Sequence, residues 1–466
     1  MSGNLFDREW PRWEPAGPIE RTPATVAPPA DRPAVDPAPD RHVWDSWPLR
    51  SRDGTIATVD GWRVLIALTA PADVTPGERH DIATHRYFIS RDGRQWVDRG
   101  PVFEEALGSR QWAGSALLDG EDCYLFYTAA GDPAADGVTD TQRLAVAHGG
   151  RVDVGDADAG DADTGDPAVD ASEPAVDDAD ESAAPGPTIE GPWHHEILLE
   201  PDGEYYETQA QAGAMTYTFR DPWFFEDPAT GRCHLLFESN TPAAADACGG
   251  DAAKQAFNGC VGRAVSPTGD LLDWEFRPPI FDSVCVNQEI ERPHVVLDEG
   301  RYYLFVSSHV DTFAPGLAGY DALYGFVADS LCGDYRPLND SGLVVTNPAT
   351  APFQAYSWLA IPHGEELLVS GFLNYPDFDG GAIGEIAALS GEEQRQRFAG
   401  TLTPTLRLAV DGERTRVRGT LDHWAFPSEA ETLSPVDDDW SRPAEELDPE
   451  PGLTRTASRR EDGPFW

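Results

Sequence analysis

The sequence predicts an all-β fold, built either as a propeller or as a large sandwich. Compact apolar runs recur along the chain, among them Trp62–Leu68, Cys123–Tyr127, Cys233–Phe237, Tyr302–Val306 and Leu367–Ser370. Each is followed within a few residues by Gly, Pro, Asp or Asn, and helical periodicity is scarce. Short strands closed by turn residues are the signature of these two architectures. The spacing of the runs suits four-stranded blades, without a crisp internal repeat.

Taken in chain order, residues 1–40 read as an extended arm, Pro/Ala-rich over 14–40, laid across the surface. Residues 41–435 read as one large β domain. Within it, 152–187 hold twelve Asp+Glu and no Lys, Arg or aromatic residue. Such a segment cannot bury enough apolar surface to fold and reads as a disordered acidic insertion. Its D-x-D texture lacks the spacing of a calcium loop. Residues 436–466 form an acidic, Pro-rich tail.

The 81 Asp+Glu stand against 34 Lys+Arg, a formal net charge of -47, and Lys254 is the only lysine. This surface excludes nucleic acid and anionic lipid as partners. Acids spread along the whole chain fit a protein built for multimolar salt better than a patch for one basic partner. Activity and folding are therefore expected to weaken well below molar salt. The six cysteines contain no C-x-x-C pair, which argues against zinc. A surface disulfide between Cys248 and Cys260 and free buried thiols both remain open. Met1–Trp10 lacks a basic segment followed by an apolar run, so no signal peptide is expected. No stretch approaches the ~18 apolar residues of a membrane span.

Three acidic motifs carry the chemistry. In Val43-Trp44-Asp45-Ser46-Trp47-Pro48-Leu49, a carboxylate lies between two indoles, whose flat faces suit the C–H faces of a sugar ring. Phe219-Arg220-Asp221-Pro222-Trp223 sets an arginine before an aspartate in a proline-stiffened turn. Glu289-Ile290-Glu291-Arg292-Pro293-His294 places two glutamates on one face if extended. Retaining glycoside chemistry needs a nucleophilic carboxylate and an acid/base carboxyl, and a third acid can bind hydroxyls as charge develops.

With Gln111-Trp112-Ala113-Gly114-Ser115, these motifs make residues 41–425 resemble the fructansucrases of glycoside hydrolase family 68, the levansucrases and inulosucrases. The resemblance implies a five-bladed β-propeller with a central funnel-shaped active site. It implies fructosyl transfer from sucrose by double displacement, with Asp45 as nucleophile, Glu291 as general acid/base and Asp221 as transition-state stabiliser. Trp44, Trp112, Arg220, Glu289, Arg292 and His309 become the substrate-binding set, His309 on the acceptor side. Three positions depart from the family pattern. Ala113 stands where Gram-positive members have a serine. Gln288 and Met215 stand where calcium-dependent members need oxygen ligands, so the structural calcium is expected to be absent and no cofactor is implied. Sucrose and fructo-oligosaccharide or fructan acceptors are the expected partners of a monomer. Polymer synthesis implies an extracellular enzyme, exported without a visible signal peptide, with a cytoplasmic location as the alternative. A sucrose or fructan hydrolase of invertase type is the alternative, and a non-catalytic sugar-binding propeller a more distant one.

Overall fold

The apolar runs become the strands of five blades arranged around one axis. The computed structural model describes residues 10–15, 17–153, 186–212, 216–244, 246–378, 383–428 and 431–434. Blade 1 comprises Arg41–Arg50, Arg63–Pro71, Thr84–Ser90 and Val97–Pro101. Blade 2 comprises Arg110–Asp119, Asp122–Ala130, Gln142–Asp153, Thr188–Glu190 and His194–Leu199. Blade 3 comprises Phe219–Asp227, Arg232–Asn240, Gly259–Val265 and Glu275–Asp282. Blade 4 spans Glu291–Asp298, Arg301–Ser308, Ala322–Ala328, Arg336–Pro337 and Leu343–Thr346. Blade 5 spans Ala355–His363, Glu366–Leu373, Thr401–Leu402, Pro404–Asp411 and Arg414–His423. Pairing within each blade is antiparallel, and the first strand of each is the innermost. Blades 1 and 2 join where Leu49 and Arg50 pair in parallel with Ala116 and Leu117.

Burial explains why the runs looked continuous rather than alternating. A strand within a blade has a neighbouring blade on each face, so Arg63–Pro71, the second of blade 1, is buried at every residue but its last. The outermost strand, Arg414–His423, borders solvent and alternates exposed and buried over most of its length.

All five inner strands bulge near their N-terminal ends. The register shifts fall between Trp44 and Ser46, Trp112 and Gly114, Arg220 and Trp223, Glu291 and His294, and Tyr356 and Leu359. Three residues within these bulges, Asp221, Arg292 and Ser357, have positive φ of 61°, 49° and 57°. A bulge bends the strand and re-aims a side chain, and strained backbone of this kind gathers at functional sites. One bulge per inner strand, at matching positions, makes a ring of re-aimed residues at one mouth of the axis.

The N-terminal arm is tied down across blades 3 to 5. Arg12 bridges to Asp282, Val26 pairs with Thr346, and the Trp13 indole is buried against Phe313, Tyr324 and Phe326. At the other end, residues after blade 5 cross to blade 1, where the Phe426 N–H donates to the Gly93 carbonyl at 2.7 Å. Gly93 has a φ of 67°, and a Cβ there would lie 1.8 Å from the Phe426 oxygen. Gly93→Ala should therefore loosen the junction of blades 5 and 1 and cost about 2–3 kcal/mol, read as a lowered Tm with unchanged fold by circular dichroism.

The acidic insertion leaves from and returns to one strand pair, since Asp153 opposes Thr188. Val152 and Asp153 belong to a strand, which trims the expected segment at its start; 154–185 lie outside the described residues. Of the two readings left open for Cys248 and Cys260, the disulfide between them is not formed. Cys248 is bonded to Cys285, while Cys260 is a free thiol fully buried in the third strand of blade 3. The buried strand position keeps Cys260 facing the core, whereas Cys285 sits on the loop leading to Glu289.

Candidate active site

The ring of bulges brings Asp45, Asp221 and Glu291 to one mouth of the axis, from blades 1, 3 and 4. Two arginines hold them. Arg220 donates from Nε to Glu238 Oε2 at 2.7 Å, and from Nη2 to Glu291 Oε1 at 2.8 Å and Glu289 Oε2 at 3.4 Å. Arg292 gives its backbone N–H to Asp221 Oδ2 at 3.1 Å, and its Nη1 lies 3.9 Å from Asp45 Oδ1. Its remaining contacts bind protein. Nη1 donates to the carbonyl and hydroxyl oxygens of Ser357 at 2.8 and 3.0 Å, and Nη2 to the Ser46 carbonyl at 2.6 Å. Arg292, expected among the substrate contacts, is thus occupied in tying blades 1, 3, 4 and 5 together around Asp45. The positive φ at Arg292 and at Ser357 turns both toward that junction.

Electrostatics separate the carboxyls. Asp45, Asp221, Glu238, Glu289 and Glu291 crowd about Arg220 and Arg292. Burial pushes Asp221 up to about 7, with Arg220 opposing and Glu291 and Asp45 adding to the rise. Burial likewise lifts Glu291 above the ordinary glutamate value, against the pull of Arg220 and His309. Glu238, fully buried, is lifted well above it by burial, again with Arg220 opposing. Burial would lower Arg220, but Glu238, Glu291, Glu289 and Asp221 hold it well above its usual value.

The Tyr356 hydroxyl donates to Glu291 Oε2, and burial keeps that phenol protonated. His309 lies beneath Tyr356, rings stacked at 3.5 Å, with Nδ1 3.3 Å from Asp321 Oδ2 and Nε2 3.9 Å from Glu291 Oε2. Only 1% exposed, His309 reaches the mouth through Glu291 rather than by lining it. Despite burial, Asp321 and Glu291 raise its pKa.

Trp44 is buried, its ring 5.7 Å edge-on from His80 and 5.2 Å from the Arg79 guanidinium. Trp112 is half-buried and donates from Nε1 to the His80 carbonyl at 2.9 Å. His80 therefore links the two indoles, and burial with Arg79 and Arg220 keeps it neutral. Ala113 sits at the blade 2 bulge, where Thr128 Oγ1 donates to its carbonyl at 3.1 Å and accepts from the Asp221 N–H at 2.9 Å. Gln288 is buried, its side-chain amide donating to the Thr216 carbonyl and its backbone carbonyl accepting from Asn240 Nδ2 at 3.0 Å. Met215 lies outside the described residues. Among the described residues no cluster of His, Cys, Asp or Glu is arranged to hold a metal ion, and no helix is long and apolar enough to cross a membrane.

Sequence reasoning missed Glu238, Asp321, His80 and a role for Tyr356. Glu238 had a signal, a lone acid closing the apolar run Cys233–Phe237; the others lie on stretches whose spacing gives nothing away.

The site can bind a polar ring against indoles, attack it with one carboxylate and protonate a leaving group with another. Comparison with known proteins agrees with that chemistry. The family model for glycoside hydrolase family 68, described as Levansucrase/Invertase, matches residues 15–162 and 185–426. A levansucrase of Rahnella aquatilis is 33% identical over 457 residues, spanning 90% of this chain and 96% of its own. The inulosucrase from Halalkalicoccus jeotgali, solved bound to kestose, is 56% identical with a TM-score of 0.84, over 92% of this chain and all of its own. The catalytic domain of a β-fructofuranosidase from Microbacterium saccharophilum shares 26% identity and a TM-score of 0.71, over 92% of this chain and 96% of its own.

Proposed function

The chain belongs to glycoside hydrolase family 68, the levansucrase and invertase family, and on that premise we propose a sucrose-dependent fructosyltransferase that makes fructan and fructo-oligosaccharides with release of glucose. The observation that carries this reading is the three-blade carboxyl cluster, in which Glu291 is held above the ordinary glutamate value between Arg220 and Tyr356 while Asp45 faces the same mouth.

In the first step an Asp45 oxygen forms a bond to the anomeric carbon of the fructosyl unit. The bond from that carbon to the glycosidic oxygen breaks, and Glu291 gives its proton to the departing glucose. In the second step an acceptor hydroxyl attacks the same carbon, Asp45 leaves and Glu291 takes the proton. Asp221 holds fructosyl hydroxyls more strongly as positive charge develops. Arg220 and Glu289 hold sugar hydroxyls beside it, Trp44 and Trp112 shape the pocket, and His309 acts on the acceptor side through Glu291. No cofactor or metal takes part. The protein works as a monomer, outside the cell, in high salt; its partners are sucrose and fructan acceptors, not nucleic acid or membrane.

Water competes with sugar for the covalent intermediate, so some hydrolysis accompanies transfer. Incubation with concentrated sucrose should give free glucose in excess of free fructose, together with oligomers. Equal glucose and fructose with no oligomer would replace transfer by invertase-type hydrolysis.

Asp221→Asn should remove most activity yet raise stability. Below about pH 4 the carboxyl is protonated in both states. Between 3.8 and about 7 the unfolded chain releases the proton and the folded chain keeps it, so stability falls as pH rises. Above 7 the penalty is complete, at roughly 4 kcal/mol. The variant should thus have a higher Tm than the parent at pH 8 and an equal one near pH 4, measured at constant salt.

A further inference from the structure

Arg50 ends the inner strand of blade 1, five residues and ~15 Å along the strand from Asp45. Its backbone pairs with Leu117 of blade 2, but its side chain reaches to blade 3. There Nη2 donates to the Phe224 carbonyl at 2.9 Å and the guanidinium lies 3.5 Å from the Trp223 ring. The residue is 4% exposed, and its Nε is buried without a hydrogen-bond partner.

What is missing is an acid. Burial lowers Arg50 to about 9, and no carboxylate acts against it. Two residues on, Arg52 holds Asp119 at 2.6 Å and Glu226 at 2.8 Å, and Arg220 carries three glutamates. In a chain with 81 acids, a buried guanidinium without one runs against the overall charge balance. An uncompensated buried charge is costly, and the Trp223 face offsets only part of it.

We propose that the Arg50 guanidinium binds one small monovalent anion, chloride in saline solvent, at the end of the blade 1 inner strand. A single negative charge beside Nε satisfies the open donor and neutralises the site. The ion then lies beside the Arg50 contact to Phe224 and reinforces the junction of blade 1 with blade 3 that Arg52 and Glu226 also bridge. This gives the protein an anion-specific demand for salt, separate from the screening that its net charge requires.

Two measurements test it on the full chain. Thermal unfolding is followed in sodium chloride and in sodium gluconate at equal molar strength, and crystals grown in sodium bromide are searched for anomalous scattering. Chloride should raise Tm saturably, by about 3 °C over gluconate. Arg50→Met should abolish that difference while keeping its dependence on total salt. Bromide density should stand within hydrogen-bonding distance of the Arg50 guanidinium. A folded Arg50→Met that keeps the full difference, or a wild-type crystal with water and no bromide at Arg50, overturns the proposal. Should Arg50→Met not fold, the wild-type bromide crystal decides alone.

Discussion

Asp45→Asn is expected to lower kcat/KM for glucose release from sucrose by on the order of 10⁴-fold or more, the largest single-residue loss in the protein. The amide cannot form the covalent bond that divides the reaction into two inversions, and no other carboxyl is free to do so. Glu289 and Glu291 are held by Arg220, and Asp221 accepts the Arg292 N–H. Folding should survive. Asp45 lies at the surface of the mouth, with its side chain 18% exposed and its nearest arginine nitrogen 3.9 Å away. Initial-rate glucose assays with sucrose, beside unfolding curves, make the check. Glucose release within tenfold of the parent would remove Asp45 from the nucleophile's place.

Glu291→Gln should cost 10²–10⁴-fold in kcat with sucrose, and the loss should depend on the leaving group. A glutamine cannot protonate departing glucose, but a fructoside with a good leaving group needs no proton. The activated substrate should therefore recover most of the first step. The pH profile separates this role from simple damage. With Glu291 raised above the ordinary glutamate value, the parent's kcat/KM falls on the basic side as that proton is lost, and the variant should lack this limb. A basic limb unchanged in Glu291→Gln would assign it to another group.

The all-β class and the three acidic motifs were legible because they are local. Apolar runs ended by turn residues mark strands, and an acid beside tryptophan or proline stands out in any chain. The strand pattern alone left propeller and sandwich open, and only the motif resemblance chose the five-bladed propeller, because adjacent blades bury both faces of most strands and erase the alternation that marks a sheet edge. Arg414–His423, on the outside, keeps it over most of its length. Arg292 was legible as part of a motif, but its turn toward Ser46 and Ser357 depends on strands 246 and 65 residues away. The Cys248–Cys285 pairing was hidden for a similar reason. Its partners are 37 residues apart, while the nearer Cys260 faces the core. The burial of His309 under Tyr356 also needs three dimensions, since the two rings come from different blades.

The matched bulges have a consequence for how such a site can change. Each blade offers one place where a side chain is delivered to the axis, and the fold pays for the kink whichever residue occupies it. Blades 1, 3 and 4 use theirs for acids and arginine; blades 2 and 5 present Ala113 and Ser357. Ser357 is already engaged by Arg292, so Ala113 is the vacancy in this fixed register. New reactivity can be written there by exchanging one residue, with the scaffold that aims it already built.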